Sequence, residues 1–237
     1  MSITTNIAMV RARIARAEAA AGREPGSVTL QLAAKYQPLD RLHEAVATGC
    51  TCFGHNIVAQ LVESTQGLAG TGALTHTVIG PVQSNKLRAA MDHAERIDTV
   101  DSVKEAMRIA RRQETRIEEG LADGPYPILI QVNSARAATQ SGCAPEELID
   151  IAAAIAELDL VRVDGLMTIG ANTDDKGLVR ASFGLTRSLS EEMRKLPGLE
   201  GAEELSMGMT GDMEIAVAEG STLVRVGTAV FGARPRP

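Results

Sequence analysis

The stretch Leu30-Gln31-Leu32-Ala33-Ala34-Lys35-Tyr36-Gln37-Pro38 decides how this chain is read. Leu30 to Ala34 is short, apolar in character and free of Gly and Pro, as a strand covered on both faces should be, and Pro38 stops further extension. Lys35 therefore stands at the exit of a strand. Desolvation there would disfavour an ammonium and leave a nucleophilic amine suited to a Schiff base with an aldehyde or ketone. The alternative is a stem laid along the strand end with its ammonium reaching water. Lys86, Lys104, Lys176 and Lys195 lie in polar or helical surroundings, so Lys35 alone follows a largely apolar run.

Outward from this strand, apolar runs and helical periodicities alternate almost to the end of the chain, the signature of a parallel sheet. Strands are predicted near 29–34, 51–53, 75–79, 97–100, 127–132, 161–167, 203–207 and 222–226. Helices are predicted over 39–48, 57–68, 83–94, 102–119, 145–157, 176–195 and 211–219, with a last short one after Gly227. The count is that of an α/β (β/α)8 TIM barrel, expected as a single domain over 1–237. An extra amphipathic helix precedes it, with Ile7, Val10 and Ile14 at helical spacing. An open doubly wound sheet is the other arrangement compatible with the periodicity. Ser102 and Glu105 form a capping box, Pro145 suits a first helical position, and Thr210 is placed to cap the segment after it.

Composition narrows the function classes. Hydrophobic residues make up 44% of the 237 positions while aromatics are 2% and Trp is absent, so the core must be aliphatic. A net charge of −6 with no basic cluster argues against nucleic acid or acidic membranes as partners. Cys50 and Cys52 lie one residue apart and Cys143 stands alone, which fits reduced thiols and a cytoplasmic location. No apolar segment is long enough to span a bilayer, and the N-terminus lacks a signal-peptide core.

In a barrel the chemistry collects at the C-terminal ends of the strands, with phosphate commonly docking after strands seven and eight. Leu205-Ser206-Met207-Gly208-Met209-Thr210 offers two hydroxyls and a glycine, and Arg225-Val226-Gly227-Thr228 leads strand eight into a helix N-terminus. Arg225, in an otherwise apolar strand, must reach an ion-pair partner or the barrel mouth. His55 and Asn56 after strand two, the segment from Ile79 to Lys86 after strand three, Ser141-Gly142 and Met167 are expected at the same rim. His43, His55, His76 and His93 show no metal-ligand spacing, so no metal site is expected. Arg108, Arg111, Arg112 and Arg116 are read as a solvated helix face.

Together these segments resemble the pyridoxal phosphate homeostasis proteins, stand-alone barrels similar to the N-terminal domain of alanine racemase. The most specific parts are Ile79-Gly-Pro-Val-Gln-Ser-Asn-Lys86, Asp164-Gly-Leu-Met167, and Leu205-Ser-Met-Gly-Met209 continuing through Asp212-Met213 to Gly220 and Arg234. The resemblance implies pyridoxal 5'-phosphate held as a Schiff base on Lys35. It implies phosphate contacts from Ser206, Gly227 and Thr228, Arg225 facing the pyridine nitrogen, and Asn56 as the asparagine of a strand-two motif. His55 stands where that motif usually has glutamate, Ala34 where serine is common, Thr77 where histidine is frequent, and Gln140 where a basic residue precedes Ser141-Gly142.

The function implied is intracellular pyridoxal phosphate homeostasis by a monomer without catalytic turnover, with pyridoxal-dependent apoenzymes as possible recipients of the cofactor. A racemase of the related kind draws a second acid-base group from a further β domain and a partner subunit, and here the chain stops at Pro237. The alternatives are a pyridoxal-dependent amino-acid racemase or lyase using Tyr36 or His55 as second base, and a Schiff-base aldolase binding a phosphosugar.

Overall fold

Eight parallel strands close on themselves in sequence order in a computed structural model that describes residues 2–232. They are β1 (Thr29–Ala33), β2 (Cys52–His55), β3 (Thr75–Val78), β4 (Arg96–Val100), β5 (Tyr126–Gln131), β6 (Val161–Met167), β7 (Glu204–Ser206) and β8 (Leu223–Val226). Closure is made by β8 pairing β1, with Thr29 opposite Leu223 and Leu32 opposite Val226, which excludes the open sheet. Around them run α1 (Ile3–Ala20), α2 (Leu39–Ala47), α3 (Val58–Gly67), α4 (Leu87–His93), α5 (Val103–Glu118), α6 (Leu148–Ala156), α7 (Lys176–Met193), α8 (Met213–Ala218) and α9 (Thr228–Phe231). Ala233 to Pro237, including the motif end at Arg234, lie outside the described residues.

Helix starts follow local chemistry. Ser2 Oγ accepts from Thr5 N at 3.2 Å and Ser102 Oγ from Glu105 N at 3.4 Å, while Glu105 Oε2 accepts from Asp101 N. Tight 3-10 turns at Ser84–Lys86 and Pro145–Glu147 take up the expected first turns of α4 and α6, which therefore begin later than their periodicity suggests. Thr210 does not cap α8. Asp212 occupies that position, and Thr210 Oγ1 instead accepts from Ala229 N at 3.4 Å, joining two loops of the barrel mouth.

The apolar core lies outside the strands. Ile7, Val10 and Ile14 of α1 share one cluster with Leu32, Phe53, Val217 and Val230, and a second cluster fills the space under α3 to α7. It is aliphatic, as composition requires. The barrel interior is polar. Arg96 and Asp98, two apart on β4 and so on one face, pair at 2.6 Å, and Arg96 also binds Glu204 at 2.6 Å. Burial opposes the Arg96 charge, but the two carboxylates outweigh it and push the guanidinium pKa up. Gln31 Nε2 donates to Thr77 Oγ1 at 2.9 Å, and Thr77 Oγ1 donates to Asp98 at 3.4 Å. The α5 arginines are not all solvated: Arg112 and Arg116 pack against Asp92, and Arg116 lies 5.7 Å from the centroid of the Tyr126 ring. Cys50, Cys52 and Cys143 are free and buried. Among the described residues no helix is long and apolar enough to cross a membrane.

Candidate functional site

A cavity of about 360 Å³ opens at the C-terminal ends of the strands, a volume suited to a small ligand. Its wall includes Lys35 after β1, Asn56 after β2, Met167 ending β6, Arg225 of β8, and Gly227 and Thr228 at the start of α9. A larger cavity of about 610 Å³ lies at the opposite end, between the loops that precede β3, β4 and β5, and no lysine lines it. Chemistry rather than volume selects the first.

Lys35 is carried on a tight turn. Gln37 N donates to Ala34 O at 3.1 Å, and Tyr36 sits in the left-handed region at φ 61, a conformation that costs a residue with a Cβ about 1 kcal/mol or more. Gln60 of α3 helps hold it by accepting from Tyr36 N at 3.1 Å. The Lys35 side chain is half-buried, with Nζ 5.3 Å from the Tyr36 ring centroid. The amine thus borders the cavity without being sealed in apolar surroundings.

Arg225 is 5% exposed and meets no carboxylate directly. Nη1 donates to Ser206 O at 2.6 Å and to Ser206 Oγ at 2.7 Å, and Nη2 donates to Thr168 O at 2.7 Å. The residue therefore takes the second expected option: it reaches the cavity at the barrel mouth, bound to neutral acceptors rather than to a carboxylate. Burial pulls its pKa down to about 10, with Asp98 and Asp212 acting against the fall, so it stays charged at neutral pH. Ser206, expected at a phosphate, is fully buried with its hydroxyl on Arg225 and is not part of the cavity wall.

Close packing holds the remaining walls. Asn56 Nδ2 donates to Ile79 O at 3.3 Å, and a Cβ on Gly80 would come within 2.5 Å of Asn56 O. At Gly208, φ is +94 and a Cβ would lie 2.5 Å from the Ala216 Cβ, so the turn after β7 requires glycine. Gly208 O accepts from Arg225 N at 2.9 Å, tying that turn to β8. A side chain at Gly227 would press on Ala33 at 3.4 Å, beside the lysine turn. Thr228 is exposed at the cavity wall. Ile79 lines the cavity, whereas Gln83 to Lys86, Ser141 and Gly142 do not. Thr168, whose carbonyl orients Arg225, carried no signal in the sequence.

His55 is not at the rim. Gly54 faces the barrel interior, where a Cβ would meet Gln31 at 2.7 Å, so the next residue points outward. His55 Nε2 lies 3.0 Å from His76 Nδ1, and the His76 ring stacks on Phe53 with centroids 5.6 Å apart. Burial, with His76 adding to it, lowers the His55 pKa to about 3, and burial lowers His76 to about 4. Both are neutral when folded and titrate near 6.5 when unfolded. Stability from this pair is therefore present above about pH 6.5 and is lost progressively down to about pH 3 to 4, by on the order of a few kcal/mol. His55→Gln is expected to flatten that slope in urea titrations between pH 6.5 and 4; an unchanged slope would refute the assignment.

Comparison with known proteins agrees with this fold. Residues 4–235 match the family described as alanine racemase, N-terminal domain. The pyridoxal phosphate homeostasis protein of Pseudomonas aeruginosa is 38% identical over 233 residues, 98% of this chain and 96% of that one. A crystal structure of an unknown protein from Bifidobacterium adolescentis superposes with a TM-score of 0.90 at 37% identity, covering 97% of this chain and 94% of its own. PipY of Synechococcus elongatus, solved with PLP bound, gives a TM-score of 0.83 at 30% identity over 98% of this chain and 100% of its own.

Proposed function

Because the chain belongs to the pyridoxal phosphate homeostasis proteins, on the barrel of the alanine racemase N-terminal domain, we propose that it binds pyridoxal 5'-phosphate and serves in keeping that cofactor available. One observation carries this reading. A single cavity joins the lysine at a strand exit, a buried guanidinium without a direct carboxylate partner, and the Gly227-Thr228 turn. That donor set matches an aldehyde, a pyridine nitrogen and a phosphate.

When bound, the cofactor supplies an electrophilic aldehyde carbon and a ring able to accept negative charge. Lys35 Nζ is the nucleophile for a Schiff base. Arg225 would present positive charge to the ring nitrogen and disfavour its protonation, which would weaken the ring as an electron sink. Gly227 and Thr228 would receive the phosphate at the start of α9, Asn56 would border the ring, and Ser206 acts one layer down by orienting Arg225. His55 is withdrawn behind β2 and cannot supply a second acid-base group, which leaves Tyr36, beside Lys35, as the one residue of the racemase or lyase alternative still near the amine. The same reading takes residues 1–237 as one domain, acting as a cytoplasmic monomer with pyridoxal-dependent apoenzymes as recipients.

The purified protein tests it directly. With no Trp and two Tyr, its own absorption is weak, and addition of pyridoxal phosphate is expected to produce a stable visible band. A protein that stays colourless and shows no binding would overturn the proposal. Thr228→Val removes one hydroxyl at nearly constant shape and is expected to weaken pyridoxal phosphate about tenfold while leaving pyridoxal almost unaffected. Equal weakening of both in fluorescence titrations would move the phosphate site elsewhere.

A further inference from the structure

The walls of the cavity after β7 and β8 are tied to a helix that lies outside the barrel. Arg13, on α1, reaches across to the loop after β7: Nη2 donates to Thr210 O at 3.0 Å, and Nε and Nη2 bind the two Glu214 oxygens at 2.7 and 3.0 Å. The carboxylate of Glu214 orients the guanidinium so that one donor remains for the carbonyl. From the same residue, Thr210 Oγ1 accepts from Ala229 N at 3.4 Å, so the loop after β7 is fastened to α9. A second brace on α1 holds the far end of that short helix, where Asn6 Nδ2 donates to Val230 O at 2.8 Å. Within the loop, Asp212 Oδ1 accepts from Met209 N at 2.6 Å, which folds Met209 to Asp212 back toward the cavity. Met209, Thr210 and Gly211 line that cavity together with Gly227 and Thr228.

We propose that Arg13 is a positioning residue for the phosphate group, fixing the Thr210 loop against α9 so that the two sides of the anion site are preset before ligand arrives. The inference rests on the reading of this cavity as the pyridoxal phosphate site. It assigns to α1, an element outside the (β/α)8 count, a part in ligand affinity as well as in packing. Arg13 touches no ligand itself. Its effect must therefore appear only for ligands that carry the phosphate, because pyridoxal gains nothing from a preset anion site.

The test uses Arg13→Met, which keeps an unbranched apolar side chain over α8, and Arg13→Lys, which can still reach Thr210 O. Affinities of the full chain for pyridoxal phosphate, for pyridoxal and for inorganic phosphate as competitor are measured by absorption titration. Arg13→Met is expected to weaken pyridoxal phosphate and inorganic phosphate by on the order of tenfold and pyridoxal less than twofold, with Arg13→Lys recovering part of the loss. Hydrogen exchange of the ligand-free variant should quicken at 208–212 and 228–230 and stay at parental rates in the strands. Parental phosphate affinity in a folded Arg13→Met protein would overturn the assignment, as would equal weakening of pyridoxal. Should Arg13→Met fail to fold, parental discrimination between pyridoxal phosphate and pyridoxal in a folded Glu214→Ala variant, in which Arg13 loses the carboxylate that orients it toward Thr210 O, would overturn it equally. Failure of the parent protein to bind pyridoxal phosphate would refute the site itself, a separate outcome.

Discussion

Replacement of Lys35 by alanine is expected to abolish the visible band and weaken pyridoxal phosphate at least a hundredfold, about 2.7 kcal/mol or more. The chain should remain folded. Lys35 is half-buried at a strand exit, on a turn held by backbone and Gln60 contacts, so truncation opens no core cavity and should change stability by less than about 1 kcal/mol. Absorption and urea titration on the same sample separate the two effects. Retention of the band would place the nucleophile elsewhere, and a collapse of stability would give Lys35 a part in the fold.

Arg225→Glu should do the reverse, harming the fold first. Three donor contacts to Ser206 and Thr168 would be exchanged for a buried carboxylate with Asp98 and Asp212 nearby, a cost of about 3 to 5 kcal/mol. For a chain of this length that is a fall in melting temperature of roughly 6 to 20 °C. Arg225→Met fills similar space without a charge and should lose no more than about 2 kcal/mol, because the cost of burying the guanidinium disappears as its contacts do. Equal melting temperatures for the parent and Arg225→Glu would mean that this side chain is not enclosed as described.

The strength of the sequence signals explains what could be read beforehand. Lys35 was legible because an amine following an apolar run is rare in this chain, and the alternation of strand and helix was legible because burial on two faces leaves runs that periodicity detects. Closure was not, since nothing in either strand announces that Thr29 will lie opposite Leu223. His55 was misplaced for a reason of parity. Strand two extends to His55 rather than ending at Phe53, and with Gly54 facing inward the histidine falls on the outer wall. Ser206 was expected at the phosphate, but its depth below the cavity depends on which partner a long arginine reaches. The interior pair was readable from Arg96-Ile97-Asp98, two charges at strand period, and was missed because an aliphatic core was expected everywhere. The contact of Arg13 with Thr210 spans 197 positions and has no local signal.

Lys35 as the residue that holds the cofactor is the central claim, and reductive trapping tests it most directly. The protein is mixed with pyridoxal phosphate, reduced with borohydride, digested and mapped by mass spectrometry. A pyridoxyl adduct confined to the peptide carrying Lys35 is the predicted result. Its appearance on Lys86 or another lysine, with Lys35 unmodified, would contradict the account.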